Sequence, residues 1–358
     1  MHHSPESYQY FESEQIESNL AAGGADEREI PFVFSGRGGE YFRVWIVNIV
    51  LTILTMGIYS AWAKVRNKQY FYGNTTLDGA SFSYTADPVK ILVGRVVATV
   101  LLAAYVLAEN LSVIAALVMF LVFLIALPWL VCQSLRFNAR YSRYRNVSFE
   151  FTGTPWEAAK AFLFWPIAGA LTLGILMPFA IQRQQRFMVS HHQYGASPFD
   201  FHARPGLYYQ IFLAAGAIAL VGFLVAGAIS TALGAILGVT GVVVSFFLFF
   251  VVYVVLGAGV AAAIACQRYK NTTIEHHRFD ANWSVISYAA IVLSNTLLTI
   301  VTLGMYYPWG KVRLARYKAN HTRVFARGSL DTFAERQREK AGSVAEGVSD
   351  LFDFDIGL

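Results

Sequence analysis

Two clusters of tryptophan, lysine and arginine have the side-chain chemistry to bind an anionic group. They close two nearly identical segments, LTILTMGIYSAWAKVR at 51–66 and LTIVTLGMYYPWGKVR at 298–313. A guanidinium binds a phosphate through two parallel hydrogen bonds, so the two copies could converge on one anion or lipid head group. The same residue types also anchor membrane segments at the lipid–water interface, and anchoring is the favoured interpretation. The six residues are Trp62, Lys64, Arg66, Trp309, Lys311 and Arg313.

A Thr-x-Gly pattern precedes both clusters and occurs a third time in the middle of the chain. Glycine permits a sharp bend, and the threonine hydroxyl can satisfy a carbonyl group that the bend frees. We interpret these positions as breaks in membrane helices or as the polar lining of a pore. The residues are Thr55, Gly57, Thr172, Gly174, Thr302 and Gly304.

Other residue patterns do not indicate an enzyme. The pairs His191-His192 and His276-His277 invite a metal hypothesis, but adjacent residues on a regular element do not share a face, and we assign no metal site. The sequence has no Walker loop, nucleophile elbow or zinc-protease helix. We predict a protein that is not an enzyme and that binds neither a cofactor nor nucleic acid.

The composition indicates that lipid surrounds most of these residues. Hydrophobic residues make up 56% of the chain and charged residues only 14%, against about a quarter in soluble domains. Residues 207–266 contain no Asp, Glu, Lys or Arg, which predicts two bilayer crossings joined by a tight turn. The chain is therefore expected to be a multi-pass membrane protein.

Five short segments with alternating aromatic residues mark an internal repeat. They are FVFSG, FSYTA, FEFTG, FDFHA and a degenerate FDAN, and their units start near residues 32, 82, 149, 199 and 279. Each predicts a short strand with one apolar face, followed by a membrane segment and an aromatic-basic exit. The predicted fold is an α-helical multi-pass membrane protein of five degenerate repeats, whose strands could pair into a small β element on the cytoplasmic face.

Two of the units have room for a helical hairpin, whereas three have room for one apolar segment each. The single segments at 44–61, 161–181 and 284–309 leave two arrangements open. If they cross the membrane, the basic exits lie on opposite faces. If they bend at Thr-x-Gly and return, every basic exit and every short strand lies on one face, and four crossings remain.

Both ends of the chain are acidic and poor in residues that could pack. We expect disordered tails at 1–31 and 335–358, on either side of a basic membrane domain at 32–334. Clusters of Lys and Arg at membrane edges usually face the cytoplasm and its anionic phospholipids. These lipids are the expected partners, and the sequence leaves the oligomeric state open.

The segments LTMGIYSAWAKVR and VTLGMYYPWGKVR, with FVFSG before the first and NTTLDGASFSY after it, resemble the YjgN-like family of bacterial inner-membrane proteins. The resemblance covers about 32–325 and implies a multi-pass protein of the inner membrane. The family is defined by a domain of unknown function, so the resemblance implies no catalytic residues, substrate or cofactor.

Two functions from different classes follow. The first is a channel or permease for a small or uncharged solute or a lipid, since repeats and broken helices are typical of transporters. The second is a non-transporting scaffold or sensor that binds anionic lipid or a partner through its basic face.

Overall fold

The computed structural model describes residues 27–340, which form a closed antiparallel barrel of ten short strands with helices attached to one edge. The strands are β1 (Glu27–Phe34), β2 (Thr75–Leu77), β3 (Ala80–Tyr84), β4 (Ser142–Tyr144), β5 (Val147–Phe151), β6 (His192–Tyr194), β7 (Ser197–Phe201), β8 (Thr272–Ile274), β9 (His277–Ala281) and β10 (Thr322–Arg327). The helices of the membrane region are α1 (Gly38–Leu54), α2 (Ser60–Gly73), α3 (Pro88–Leu111), α4 (Val113–Arg140), α5 (Pro155–Ala159), α6 (Trp165–Leu171), α7 (Met177–Ser190), α8 (Pro205–Leu237), α9 (Val239–Lys270), α10 (Val285–Val301) and α11 (Tyr307–Asn320). A last helix, α12, covers residues 330–340.

The barrel consists of tight hairpins that pair side by side. Each three-residue strand turns directly into a five-residue strand, as β2 does into β3 and β4 into β5. Residues with positive φ make the turns, for example Asp78 and Gly79 in the first hairpin. Strand β1 pairs with both β2 and β10, so the first and last strands of the described region close the ring.

This barrel contradicts the prediction of an α-helical protein with at most a small β element. Four of its strands, β2, β4, β6 and β8, have only three residues each. Such segments are too short to show a period-2 pattern, and β1 meets β10 across almost the whole chain. The predicted tail boundaries also differ from the structure. Residues 27–31 belong to β1 and residues 335–340 to α12, whereas 1–26 and 341–358 lie outside the described residues.

Five helical arms connect the hairpins. Arm 1 is α1 and α2, arm 2 is α3 and α4, arm 3 is α5 to α7 with a π-helical turn at Lys160–Phe164, arm 4 is α8 and α9, and arm 5 is α10 and α11. Each arm leaves the barrel and returns at paired residues, such as Phe34 and Thr75 in arm 1 or Ala281 and Thr322 in arm 5. All five arms therefore attach to one rim of the barrel, and the three short arms turn back instead of crossing to an opposite side.

Arms 2 and 4 contain the four helices of the described region that are long and apolar enough to cross a membrane. They have 24 to 33 residues, or about 36–50 Å at 1.5 Å per residue. In arm 2 the two helices meet at Ser112, whose side chain accepts a hydrogen bond from the Ala115 N–H and begins α4. In arm 4 they meet at Gly238, which has a φ of 55°. Many of their apolar side chains are exposed, which is typical of helices that contact lipid.

The apolar core of the barrel continues into α12. Ile30, Val147 and Val324 point inward from the strands, and Leu330 and Phe333 pack on them from α12. Leu330, Phe333, Ala334 and Gln337 are buried and form one stripe with the spacing of a helix face. This helix, here called the capping helix, covers the end of the barrel that lies opposite the arms.

Candidate functional site: two cavities on the barrel axis

Two adjoining cavities follow the axis of the barrel. The vestibule, of about 520 Å³, lies between the returning helices of the arms and the rim. The barrel cavity, of about 480 Å³, lies inside the strands and ends at the capping helix. Both cavities are lined by Phe32, Phe82, Phe149, His192 and Tyr269, so these residues mark the boundary between them.

A ring of five polar side chains fixes the rim between the two cavities. Each occupies the first position of a short strand and bonds to the carbonyl oxygen four residues earlier, at the end of its returning helix. The four hydroxyls donate at 2.6–2.8 Å, and the imidazole donates through Nδ1 to the Met188 carbonyl. The residues are Thr75, Ser142, His192, Thr272 and Thr322. These bonds tie the last turn of every arm to the barrel and set the shape of the opening.

A ring of five phenylalanines stands just inside the rim. These are the first residues of the five alternating segments in the sequence: Phe32, Phe82, Phe149, Phe199 and Phe279. Neighbouring rings are 6.1 Å apart for Phe32 and Phe82, and 6.0 Å apart for Phe199 and Phe279. Contacts at these distances are favourable between aromatic rings. The phenylalanine ring therefore makes the entrance of the barrel cavity apolar.

Two cations of arms 4 and 5 lie beside this apolar entrance. Lys318 lines the vestibule and Arg268 lines the barrel cavity, and no carboxylate lines either cavity within residues 27–340. The Lys318 ammonium lies 5.5 Å from the centre of the Trp283 ring and 5.8 Å from that of Tyr288. Burial lowers the pKa of Lys318, and the positive charges of Lys311 and Arg268 lower it further.

A third cation approaches the vestibule from arm 1. The Lys68 ammonium donates to the Asn138 side-chain oxygen at 2.5 Å, and Asn138 itself lines the vestibule. Burial, with a smaller contribution from the positive charge of Lys64, lowers the pKa of Lys68 to about 8. Lys68 is thus mostly protonated at neutral pH, and the groups around the vestibule are predominantly positive.

The capping helix closes the opposite end of the barrel through polar contacts around its apolar stripe. The fully buried Gln337 accepts a hydrogen bond from the Ala196 N–H at 3.0 Å and donates to Glu275 at 3.0 Å. Arg145 pairs with Asp331 of the capping helix and with Asp78 of the first hairpin turn. Phe333 packs inside this frame, with its ring 4.7 Å from that of His277.

The structure places the predicted aromatic-basic clusters on the arms and not in the two cavities. Arg66 donates to the Tyr59 hydroxyl within arm 1 at 2.9 Å, and Arg313 donates to the Ser294 hydroxyl within arm 5 at 2.9 Å. The two guanidinium groups therefore have separate partners. Trp62 stacks on Tyr59, with ring centres 6.1 Å apart.

The remaining residues of the two clusters, Trp309, Lys311 and Lys64, contact or influence groups on their own or neighbouring arms. Trp309 lies against Gly38 at the start of arm 1, with its ring 4.9 Å from that of Phe42. The ammonium of Lys311 lies 5.4 Å from the centre of the Tyr307 ring. Lys64 and Lys311 also act at a distance on the axial site, because their charges lower the pKa values of Lys68 and Lys318.

Each Thr-x-Gly lies at the tip of a short arm, between the outgoing and the returning helix. Thr55 donates to the Leu51 carbonyl at 2.7 Å and accepts from the Tyr59 N–H at 2.9 Å, so one hydroxyl links both helices. Thr172 and Thr302 make the same pair of bonds. Gly57, Gly174 and Gly304 have φ values of 94°, 89° and 92°, which favour glycine. None of these six residues lines the vestibule or the barrel cavity.

The histidine pairs point to separate places. His191 lies 3.3 Å from the Glu157 carboxylate outside the barrel, whereas His192 belongs to the rim. His277 is buried beneath the capping helix, and its Nδ1 accepts from the Arg327 N–H at 3.3 Å. Within residues 27–340, no group of three or more metal-ligating side chains has the geometry to hold a metal ion.

Sequence reasoning missed two parts of this site. Neither Lys318 nor Arg268 stands out in the sequence. Their signal is positional, because both lie two residues before the last residue of the returning helix and four residues before Thr272 and Thr322. The predicted boundary between the membrane domain at 32–334 and the acidic tail at 335–358 divides the capping helix, although its apolar residues at 330, 333 and 334 have helical spacing.

Comparisons with known proteins agree with the membrane assignment. A family model described as "Bacterial protein of unknown function (DUF898)" matches residues 29–351. The inner membrane protein YjgN of Salmonella typhimurium (strain LT2) is 30% identical over 139 residues, which are 37% of this chain and 34% of that protein. The inner membrane protein YjgN of Escherichia coli (strain K12) is 29% identical over 153 residues, which are 42% of this chain and 38% of that protein.

The aligned part of the chain thus spans little more than a third of the length of these curated relatives. No solved structure matches the chain.

Proposed function

Because the chain belongs to the DUF898 family of bacterial inner-membrane proteins, we propose that it is a channel or permease whose pathway follows the barrel axis. The observation that carries this proposal is the pair of adjoining cavities, which extend from the ring of arms to the capping helix. Lining from five arms and ten strands around one axis is the arrangement expected of a pathway. The capping helix would hold it closed at one end.

The same geometry supports a fivefold internal repeat. Four hairpins of three and five residues recur around the barrel, and β10 with β1 completes the fifth. Every unit contributes one hydrogen bond to the rim and one phenylalanine to the phenylalanine ring. Similar units arranged in a ring enclose a space on the ring axis that no single unit could enclose. The repeat would therefore create the proposed pathway.

The proposed orientation places the barrel in the cytoplasm. Exposed basic residues follow the rim at the base of the arms, and this position favours the cytoplasmic face and anionic phospholipids. They are Arg37, Lys90, Arg140, Lys160, Arg204 and Lys270. The apolar tips of the short arms, where Met56 and Leu303 are almost fully exposed, would then lie inside the bilayer.

A non-transporting scaffold is the second candidate, and the basic rim is the observation that favours it. In that case the rim would hold anionic lipid or a protein partner, and the barrel would be a rigid support. The two candidates differ in whether solutes pass along the axis.

Planar-bilayer conductance in potassium chloride tests the pathway. We compare the intact chain with Gln337→Ala, which loosens the capping helix without removing its apolar stripe. Conductance is expected to rise in Gln337→Ala and to fall again when Ala139→Trp is added, because Ala139 lines the vestibule. Val118→Trp on the same helix α4 is the control, since Val118 is exposed toward lipid.

Size-exclusion profiles and circular dichroism of each variant establish that it is folded. A folded Gln337→Ala protein that conducts no more than the intact chain contradicts the channel and favours the scaffold. If neither Ala139→Trp nor Val118→Trp changes the conductance, the current does not follow the barrel axis.

A further inference from the structure

We propose that the vestibule and the barrel cavity together bind an amphiphilic anion, with its carboxylate or phosphate head at Lys318 and Arg268 and its apolar tail on the phenylalanine ring. The inference rests on the proposed pathway, because it names the class of solute that the pathway would carry. Its support is the combination of unpaired cations and an apolar cavity at one place on the axis.

The head site is formed by two cations that lack acidic partners. Lys318 and Arg268 come from the adjacent arms 5 and 4, and among the described residues neither forms an ion pair. Their nearest interactions are with rings, those of Trp283 and Tyr288 for Lys318 and that of Tyr269 for Arg268. A partly buried cation without a counter-charge is unfavourable, and an anion between the two would offset the cost of both.

The other groups around the head site do not repel an anion. Lys311 and Lys68 add positive charge, and the side-chain oxygen of Asn138, which lines the vestibule, accepts a hydrogen bond from Lys68. His192 donates through Nδ1 to the Met188 carbonyl. Burial lowers its pKa, which favours the neutral imidazole. An anionic head therefore meets net positive charge from three arms.

The tail site is the barrel cavity. Its volume of about 480 Å³ lies within the range of about 300–1,000 Å³ that is usual for small-molecule sites. Beyond Arg268 the lining is almost entirely aromatic and aliphatic, with Tyr144 and Tyr194 bonded to backbone carbonyls. Such a surface gains free energy by covering apolar groups and gains little from a small hydrated anion.

The two ends of the site select for a molecule that has both parts. An inorganic anion would use the cations and leave the apolar cavity without a partner. A neutral hydrocarbon would fill the cavity and leave Lys318 and Arg268 unpaired. A single-chain amphiphile matches both ends, and its source could be a free fatty acid or a lipid phosphate.

Equilibrium dialysis of the full chain in nanodiscs, with empty nanodiscs subtracted, tests this assignment. The probes are tritiated dodecanoate and dodecyl phosphate, with dodecanol and acetate as the tail-only and head-only arms. Dodecanoate or dodecyl phosphate should saturate one site, and the stronger of the two identifies the head chemistry. Arg268→Gln with Lys318→Gln should weaken binding by about 10- to 100-fold, because charge-assisted hydrogen bonds to the head are lost.

Lys270→Gln is the matched control, because Lys270 lies on the same helix as Arg268 but is exposed. The inference is overturned if dodecanol binds as tightly as dodecanoate, if acetate binds as tightly, or if the double variant binds like the intact chain. The unfolding temperature of each variant is also measured. Lys318→Arg keeps the positive charge and should bind like the intact chain, whereas Lys318→Gln should bind more weakly.

The proposed binding site and the proposed pathway can be contradicted independently of each other. Saturable dodecanoate binding in a Gln337→Ala protein that conducts nothing contradicts the pathway and leaves the site intact. Conductance of Gln337→Ala without saturable binding of either amphiphile contradicts the site and leaves the pathway intact.

Discussion

Replacing Gln337 with alanine should release the capping helix while the barrel stays folded. The Gln337 side chain is the polar end of a buried stripe and bridges two hairpin turns through Ala196 and Glu275. Its Cβ lies 2.8 Å from where a side chain on Gly195 would begin, so the capping helix packs closely on the turn between β6 and β7. The substitution removes both bonds at once.

The magnitude follows from the groups that lose their partner. The Ala196 N–H, on an exposed residue, loses its acceptor at a cost of about 0.5–1.5 kcal/mol, and the packing of the fully buried Gln337 side chain is lost as well. Glu275 keeps its bond from Ser197 and its ion pair with Arg336, so its loss is smaller. We expect the docked state to lose about 2 kcal/mol, which raises the undocked fraction about 30-fold.

Hydrogen exchange of the amides in 330–340 measures this fraction directly. Protection should fall about 30-fold in the capping helix, since exchange reports local opening, while protection in β2 to β9 stays as in the intact chain. Glu335→Ala is the control, because Glu335 is exposed on the same helix. The reasoning is refuted by unchanged protection of the capping helix or by an equal loss throughout the barrel strands.

Two further predictions concern pH and orientation. Burial lowers the pKa of His277, and the charges of His276 and Arg336 lower it further, whereas Glu275 opposes this effect. Because the pKa of His277 is lower in the folded than in the unfolded protein, the neutral imidazole contributes its full stabilisation above the ordinary pKa near 6.5. This stabilisation is lost as pH falls through the lowered pKa. Protection factors of the capping helix should therefore decrease between about pH 7 and pH 5, and less so in His277→Gln, with equal decreases in both proteins counting against this account. Orientation can be tested with single cysteines in a chain whose two native cysteines are replaced by alanine. An impermeant maleimide added to intact cells should label Ser112→Cys and should not label Arg140→Cys. The reverse pattern would place the barrel outside the cytoplasm.

Five aromatic positions stand out in the sequence because their signal is chemical. Phe32, Phe82, Phe149, Phe199 and Phe279 stand at the first positions of the alternating segments, and all five enter the phenylalanine ring. Alternation predicts which side of a strand is apolar, but not which strands pair. The closed barrel depends on pairing between β1 and β10, whose residues are separated by most of the chain.

The candidate site was harder to predict because its charges are not distinguished by local sequence. Lys318 lies five residues after Arg313 on the helix that carries the Trp309, Lys311 and Arg313 cluster, and only the geometry of arm 5 distinguishes the axial residue from the others. Arg268 follows a long apolar helix, where a basic residue is the usual interfacial anchor. Convergence of residues from different arms is a property of the ring and is invisible in any single segment.

The closure of the barrel by its first and last strands also constrains biosynthesis. Strand β1 leaves the ribosome before its neighbour β10, which begins only at Thr322. At about 5–20 residues per second, the intervening chain takes roughly 15–60 s to synthesise. During that interval one edge of β1 has no native neighbour, while the long helices of arms 2 and 4 are already available to the insertion machinery. Insertion of the arms can therefore precede closure, and the rim is completed only when β10 is synthesised and pairs with the open edge of β1.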